Sequence, residues 1–232
     1  MKPGPKPSRR VSTTWSKKLA YAIGLITADG CLSKDGRHIN LTSRDKAQIE
    51  LFKKCLGLIT KTGRKYSGSG NLAYQTQFGD VVLYRFLEKI GLTPAKSNTL
   101  SALNIPDKNF SDFVRGYFDG DGSSFSYFDP IYPLSYRFYI SFTSGSLKYI
   151  KWLRFSLDRL LNIKGHISIN KNNNYVQLKY SKKEAIIFSK FIYRHKKNLY
   201  LKRKYLKIKT SLSIINSSRG GEIGRRAAFR SQ

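Results

Sequence analysis

"AIGLITADG" (Ala22–Gly30) decides how this chain is read, because a second stretch of the same kind, "VRGYFDGDG" (Val114–Gly122), follows 92 positions later. Each is a helix-like segment that runs into an Asp-Gly pair, in a chain with 43 Lys+Arg and only 14 Asp+Glu. "LAYAIGLITADG" is apolar on nearly every side, and a helix of that kind must be buried. Gly24 and Ala28 in the first segment are answered by Gly116 and Gly120 in the second. Small residues four apart let two helix backbones approach closely, so the natural partner of each segment is the other. Asp29 and Asp121 then end neighbouring helices, where each carboxylate faces the negative end of a helix dipole. Two such groups side by side repel unless a cation or a shared proton intervenes. A divalent metal meets that need, and Mg²⁺ suits a site of few carboxylates plus phosphate oxygens. Taken singly, either Asp-Gly reads first as a plain helix stop before a turn. The matched pair is what points to metal.

The chain around the two segments is itself written twice. "LTSRDKAQIELF" (Leu41–Phe52) aligns with "FTSGSLKYIKWL" (Phe142–Leu153) at an offset of 101. The second copy therefore carries about nine extra residues, around "SYFDPIYPL". Each copy predicts a helix ending at Asp-Gly, two strands around a turn (Asp35-Gly36 in the first copy), a helix, two more strands and a last helix. The later helices are expected over about 45–58 and 80–90, and over about 146–161 and 183–194.

Alternation supports the strands, because side chains of a strand point to opposite faces in turn. "HINLT" separates His38, Asn40 and Thr42 from Ile39 and Leu41; "RFYISFT" separates Arg137, Tyr139, Ser141 and Thr143 from Phe138, Ile140 and Phe142. "GHISIN" and "YVQLKY" align His166, Ser168, Asn170, Tyr175, Gln177 and Lys179. The expected fold is α+β: two pseudo-symmetric αββαββα repeats, each a four-stranded antiparallel sheet with its apolar face on helices. Ser33, Arg37, Arg64, Tyr66, Gln75, Gln77 and Tyr127 complete the set expected on the polar faces. A wet surface is the ordinary fate of such a face. These residue types, however, are those that read base edges in the major groove, and a two-stranded ribbon fits that groove.

Composition agrees. Of 232 residues, 40% are hydrophobic, including 15 Tyr and 14 Phe, which supports a core and excludes a disordered chain. The net charge of +29 attracts a polyanion and points to nucleic acid. Two cysteines without a CxxC pair exclude a disulfide framework and a zinc site. "MKPGPKPSRR" has no apolar signal region, and no run approaches a membrane span. A soluble intracellular protein is expected, in an organellar matrix or a prokaryotic cytoplasm. Residues 1–14 are expected as a mobile basic arm, 15–96 as the first repeat, 97–108 as a linker, 109–210 as the second repeat and 211–232 as a loose basic tail without a helical stripe.

The two segments resemble the LAGLIDADG motif of homing endonucleases, and the two-copy layout looks like that family's single-chain members over residues 15–210. The resemblance implies a monomer whose two sheets straddle double-stranded DNA, with the motif helices at the interface. It implies metal binding by the eighth motif residues, Asp29 and Asp121, with help from the backbone carbonyls of Ala28 and Gly120. The implied cofactor is Mg²⁺, with Mn²⁺ or Ca²⁺ able to substitute for binding. Both strands would be cut across the minor groove, leaving short 3′ overhangs. The sixth motif position departs from the family pattern at Thr27 and keeps an acid at Asp119, but it is not the usual ligand. By the same pattern a lysine lies near each scissile phosphate, here Lys96 and Lys204, with Lys202 as an alternative. A polar residue that can orient water opens the second helix, here Asp45 and, in the second copy, Ser146. That difference implies half-sites that are not chemically equivalent.

The expected function is a site-specific, metal-dependent endonuclease acting on a long asymmetric DNA target, encoded within an intron. An RNA maturase on the same scaffold is the alternative. A non-cleaving DNA-binding regulator is a third reading, but such a protein is expected to have lost one or both acids.

Overall fold

The computed structural model describes residues 10–66, 70–170, 174–195 and 199–229, with side chains described through 217. The first nine residues of the expected arm and the last three of the tail lie outside the described residues.

The first repeat runs α1 (Lys17–Asp29), β1 (Gly30–Leu32), β2 (His38–Ser43), α2 (Lys46–Leu56), β3 (Gly63–Tyr66), β4 (Leu72–Gly79) and α3 (Val81–Lys89). The second runs α4 (Asp107–Asp121), β5 (Gly122–Phe128), β6 (Tyr136–Ser144), α5 (Leu147–Leu161), β7 (His166–Asn170), β8 (Tyr175–Tyr180) and α6 (Lys182–Ile192), followed by α7 (Lys202–Phe229). The two sheets have equivalent orders, β1-β2-β4-β3 and β5-β6-β8-β7, with every pairing antiparallel.

Local chemistry sets the helix ends. Ser16, Asp45, Asp80 and Ser146 each accept a hydrogen bond from an amide in the first turn that follows, which satisfies an orphan donor. Helix α2 stops at Gly57 and α5 at Asn162, both in the left-handed region, the usual C-terminal brake. Helices α2 and α3 cover one face of the first sheet, and α5 and α6 one face of the second. Between the sheets, α1 and α4 pack on each other and are buried over most of their length. Ile39, Leu41 and Phe78 fill the core of one repeat, and Phe138, Ile140, Phe142 and Leu178 that of the other.

Both chain ends are more structured than the sequence suggests. The amides of Arg10 and Val11 donate to Asp80 Oδ2 at 2.6 and 2.9 Å, and the Val11 side chain is buried. Residues 10 and 11 are thus tied to the α3 cap, although they fall within the expected mobile arm. The chain from residue 211 onward, expected as a loose tail, continues α7 through Phe229. Its first turns pack inward: Ile208, Ser211 and Ile215 are buried, with α7 against β5 and β6 of the second sheet.

Candidate active site

The site begins with how closely α1 and α4 approach. A Cβ on Gly24 would fall inside the Phe113 carbonyl oxygen and 2.6 Å from the Tyr117 nitrogen. One on Gly116 would overlap the Tyr21 carbonyl, and one on Gly120 the Cβ of Ala28. The four small residues therefore mark two levels at which the helix backbones touch. The glycines that end the helices do a different job. Gly30 and Gly122 return their amides to Ile26 and Phe118, and a Cβ on either would strike its own helix.

Asp29 and Asp121 end α1 and α4, with no basic residue in the last turn of either helix. Asp29 leans across α4, where a Cβ on Gly120 would lie 3.0 Å from its Oδ2. The same oxygen accepts a 2.5 Å bond from Gln48 Nε2 on α2. Burial pushes the Asp29 carboxyl up, opposed by Gln48 and by Lys204 and Lys96. Asp121 borders a cavity of about 330 Å³ together with Thr27, Ala28, Lys96 and Tyr117. Enclosure by these walls, and next the negative Asp29, push its carboxyl up to about 6. Its outer surface stays open to solvent, so part of that rise is screened. Burial raises both carboxyls, and at Asp121 the negative Asp29 adds to the rise, so a divalent cation between them would be favoured.

The lysines complete the pseudo-symmetry. Lys96 Nζ donates to Gly30 O at 2.5 Å, and Lys204 Nζ to the equivalent Gly122 O at 2.7 Å. Lys204 also donates to Phe118 O at 2.6 Å and to Gly120 O at 2.9 Å. Burial lowers both ammonium groups, Lys204 to about 8, and the nearby aspartates oppose the shift. Lys202, the alternative within the same run, is exposed. Lys204 is aimed from behind by Asp119, whose Oδ2 accepts from Tyr21 Oη at 2.6 Å and from the Leu201 amide at 2.8 Å. This sixth motif residue therefore anchors the start of α7 to both motif helices.

Asp45 is occupied otherwise than expected. It caps α2 through Ala47 N and accepts from Arg203 Nε at 2.8 Å. Its counterpart Ser146 caps α5 and donates to Leu100 O at 2.5 Å. The polar side chain that reaches the first carboxylate is Gln48, outside the motif and found only once α2 is placed.

The registers place most of the expected nucleic-acid face. His38, Asn40 and Thr42 share a face with Gln75 and Gln77, and Ser33 continues it through its bond to His38 O. Tyr127, Arg137, Tyr139 and Ser141 share a face with Gln177 and Lys179, and with Tyr175 beside His166, Ser168 and Asn170. Four residues depart. Arg64 and Tyr66 pair with Tyr74 and Leu72 on the helix side of β3, so Lys65 takes the polar face instead. Ser141 lies on the polar face but is buried. Arg37 is exposed in the turn ahead of β2. The registers also add Cys31, Ser123 and Phe125 to the polar faces.

A profile of the LAGLIDADG-like domain matches residues 16–91 and again 111–193. The chain belongs to this family. The matched segments are the two repeats, each opening at its motif helix. No curated protein matches the sequence significantly. Among solved structures, the I-WcaI homing endonuclease bound to its DNA recognition sequence is similar at 16% identity and a TM-score of 0.61, covering 84% of this chain and 88% of that one. The I-LtrWI LAGLIDADG homing endonuclease bound to target DNA is similar at 16% identity and a TM-score of 0.58, over 88% of this chain and 91% of that one. Full-length DUF199/WhiA from Thermatoga maritima is similar at 15% identity and a TM-score of 0.56, over 94% of this chain and 69% of that one. The LAGLIDADG fold is therefore shared with proteins beyond the endonucleases. None of the described helices is long and apolar enough to cross a membrane.

Proposed function

We propose that this LAGLIDADG protein is a site-specific endonuclease that hydrolyses both strands of a long, asymmetric DNA duplex, acting as a monomer with divalent metal. The observation that carries the reading is the pair Asp29 and Asp121, at adjoining ends of two touching helices, with one lysine beside each helix end, buried at Lys96 and half-buried at Lys204. A regulator that had given up cleavage has no need of either acid or of their costly placement.

The donor set fits Mg²⁺. It consists of two carboxylates raised by burial, Asp121 also by the charge of Asp29, with the carbonyl oxygens of Ala28 and Gly120 one residue earlier. No group of three or more His, Cys, Asp or Glu gathers among the described residues, which disfavours zinc and leaves room for phosphate oxygens and water. Bound there, the metal would supply an activated water and stabilise the leaving oxygen. The protein's own part is positioning and charge. Lys96 and Lys204 hold ammonium groups where negative charge develops on phosphate, and their bonds to the helix-end carbonyls fix them there. Gln48 restrains Asp29 in one orientation. Lys204 shares Gly120 O, a carbonyl with two lone pairs, so the lysine and a metal can use the same oxygen.

The deciding experiment is cleavage of a randomised duplex library with Mg²⁺, followed by sequencing of the cut ends. One preferred site with short 3′ overhangs is expected. Asp29→Asn and Asp121→Asn should each abolish cutting while leaving binding intact. Normal cleavage by the double Asn variant would refute the metal assignment.

A further inference from the structure

The polar faces of the two sheets differ in kind. On the second sheet Phe125 pairs directly with Tyr139, their rings 4.8 Å apart and 21° from parallel. Tyr127 continues the stack at 6.2 Å and 26° from Tyr139. Lys179 Nζ closes it, 4.2 Å from the Tyr139 ring centre and 5.2 Å from that of Phe125. The repeat offsets give Ser33 for Phe125 and His38 for Tyr139 in the first sheet, and the equivalent pairings of Asn40 with Gln77 and Ser141 with Lys179 give Gln77 for Lys179. The same three positions carry hydrogen-bonding side chains in one repeat and an aromatic stack with a cation in the other.

Ring orientation decides what such a stack can bind. Side chains stand roughly perpendicular to a sheet. Phe125 and Tyr139 spend ring faces on each other and on the ammonium, and the exposed Tyr127 lays one face toward Tyr139. They offer the nucleic acid their C–H edges, with the tyrosine hydroxyls at the rim. This suits them poorly to stacking on unpaired bases, which needs free ring faces. It suits them to a flat apolar contact in the major groove. The apolar group there is the C5 methyl of thymine.

We propose that the Phe125–Tyr139–Tyr127 stack, with Lys179 fixed against it, makes the second repeat a reader of thymine methyl groups, while the first repeat reads its half-site by hydrogen bonds. The inference rests on the DNA-binding reading above. It gives the two half-sites different chemistries, and it gives the protein a means of preferring DNA to RNA, because uracil lacks the methyl.

The test uses the full chain and the duplex it selects from a randomised library. Thymines are replaced by deoxyuridine in one half-site at a time, and affinity is measured in Ca²⁺, without cleavage. Replacement in one half should weaken binding by about fourfold for each contacted methyl; replacement in the other should change little. Tyr139→His and Phe125→Ser, which install the first repeat's residues, should remove that sensitivity, whereas His38→Ala should not. Undiminished binding to both deoxyuridine half-sites overturns the inference and leaves the endonuclease reading standing. So does sensitivity that survives both substitutions. Failure to bind any duplex, or tighter binding to single strands than to duplex, overturns both.

Discussion

Gln48 donates a 2.5 Å hydrogen bond to the Asp29 carboxylate, whereas the matching place in the second repeat holds Tyr149, fully buried and packed edge-on against Tyr117. The backbones of the two centres are near copies, but their carboxylates are held differently. Removing Gln48 takes away the largest influence that opposes burial at Asp29. A hydrogen bond to a charged group contributes about 1.5–3 kcal/mol, and it favours the ionised carboxylate. Gln48→Ala should therefore leave Asp29 protonated to higher pH. If the protein is the proposed endonuclease, the strand cut beside Asp29 should slow by about tenfold or more and recover as pH rises. On supercoiled plasmid the variant should accumulate nicked circles. Equal slowing of both strands would show that Gln48 acts on the fold rather than on one centre.

Gly116→Ala tests the helix contact by setting two effects against each other. Alanine in a helix interior is favoured over glycine by about 1 kcal/mol. At Gly116, however, the added Cβ would overlap the Tyr21 carbonyl, which is backbone and cannot swing aside. Overpacking of this kind costs about 1–3 kcal/mol or more, so the clash wins. The variant should unfold at lower urea concentration than the wild type and lose activity in proportion. A variant of unchanged or higher stability would mean that the helices stand further apart than described.

Much of this arrangement was legible in the sequence, for identifiable reasons. The motif helices declare themselves because burial on all sides leaves no polar stripe, and β2, β6 and β8 because each alternates cleanly. Strand β3 does not. "GRKY" has no apolar alternation, so its register is set by β4, and Arg64 and Tyr66 fall one position from the expected face. Residue type at Asp45 was a poor guide, since a cap and an arginine partner consume both its oxygens. Gln48 carries no motif because it approaches Asp29 from another element. The start of the tail hid its stripe: Ile208, Ser211, Leu212 and Ile215 follow helical spacing, but serine and lysine among them mask it.

Asp119 gives a pH dependence of stability. Burial raises its carboxyl to about 6, against the stabilising bonds from Tyr21 and Leu201, and its Oδ1 has no partner. A folded-state value above the unfolded one favours the protonated form. Its contribution is therefore fully present below about pH 4 and is lost as pH rises through about 6. The ionised group then costs on the order of 2–3 kcal/mol. Urea unfolding in EDTA should show Asp119→Asn gaining on the wild type between pH 4 and 7. The lowered carboxyls of Asp35 and Asp107 act in the other direction, and mainly at lower pH. A pH-independent difference between variant and wild type would remove the titration of Asp119 from the account.

The two cysteines offer a direct probe of the proposed DNA face. Cys55 is buried, and burial pushes its thiol up to about 12, so it offers almost no thiolate to an alkylating reagent at neutral pH. Cys31 is exposed and pairs with Asn40 on the polar face of the first sheet, two residues beyond Asp29. Iodoacetamide should therefore modify one thiol in the native protein and both after denaturation, with Cys31 identified by peptide mass. If the polar face lies on DNA, adding the selected duplex in Ca²⁺ should slow alkylation of Cys31 by roughly the fraction of protein bound, and competing salt should restore it as phosphate contacts are lost. Cys55 serves as the internal control, because slow opening of the fold would expose it with or without DNA. Full reactivity of Cys31 in a saturated complex would place the duplex on another surface and remove the sheet faces from the recognition model.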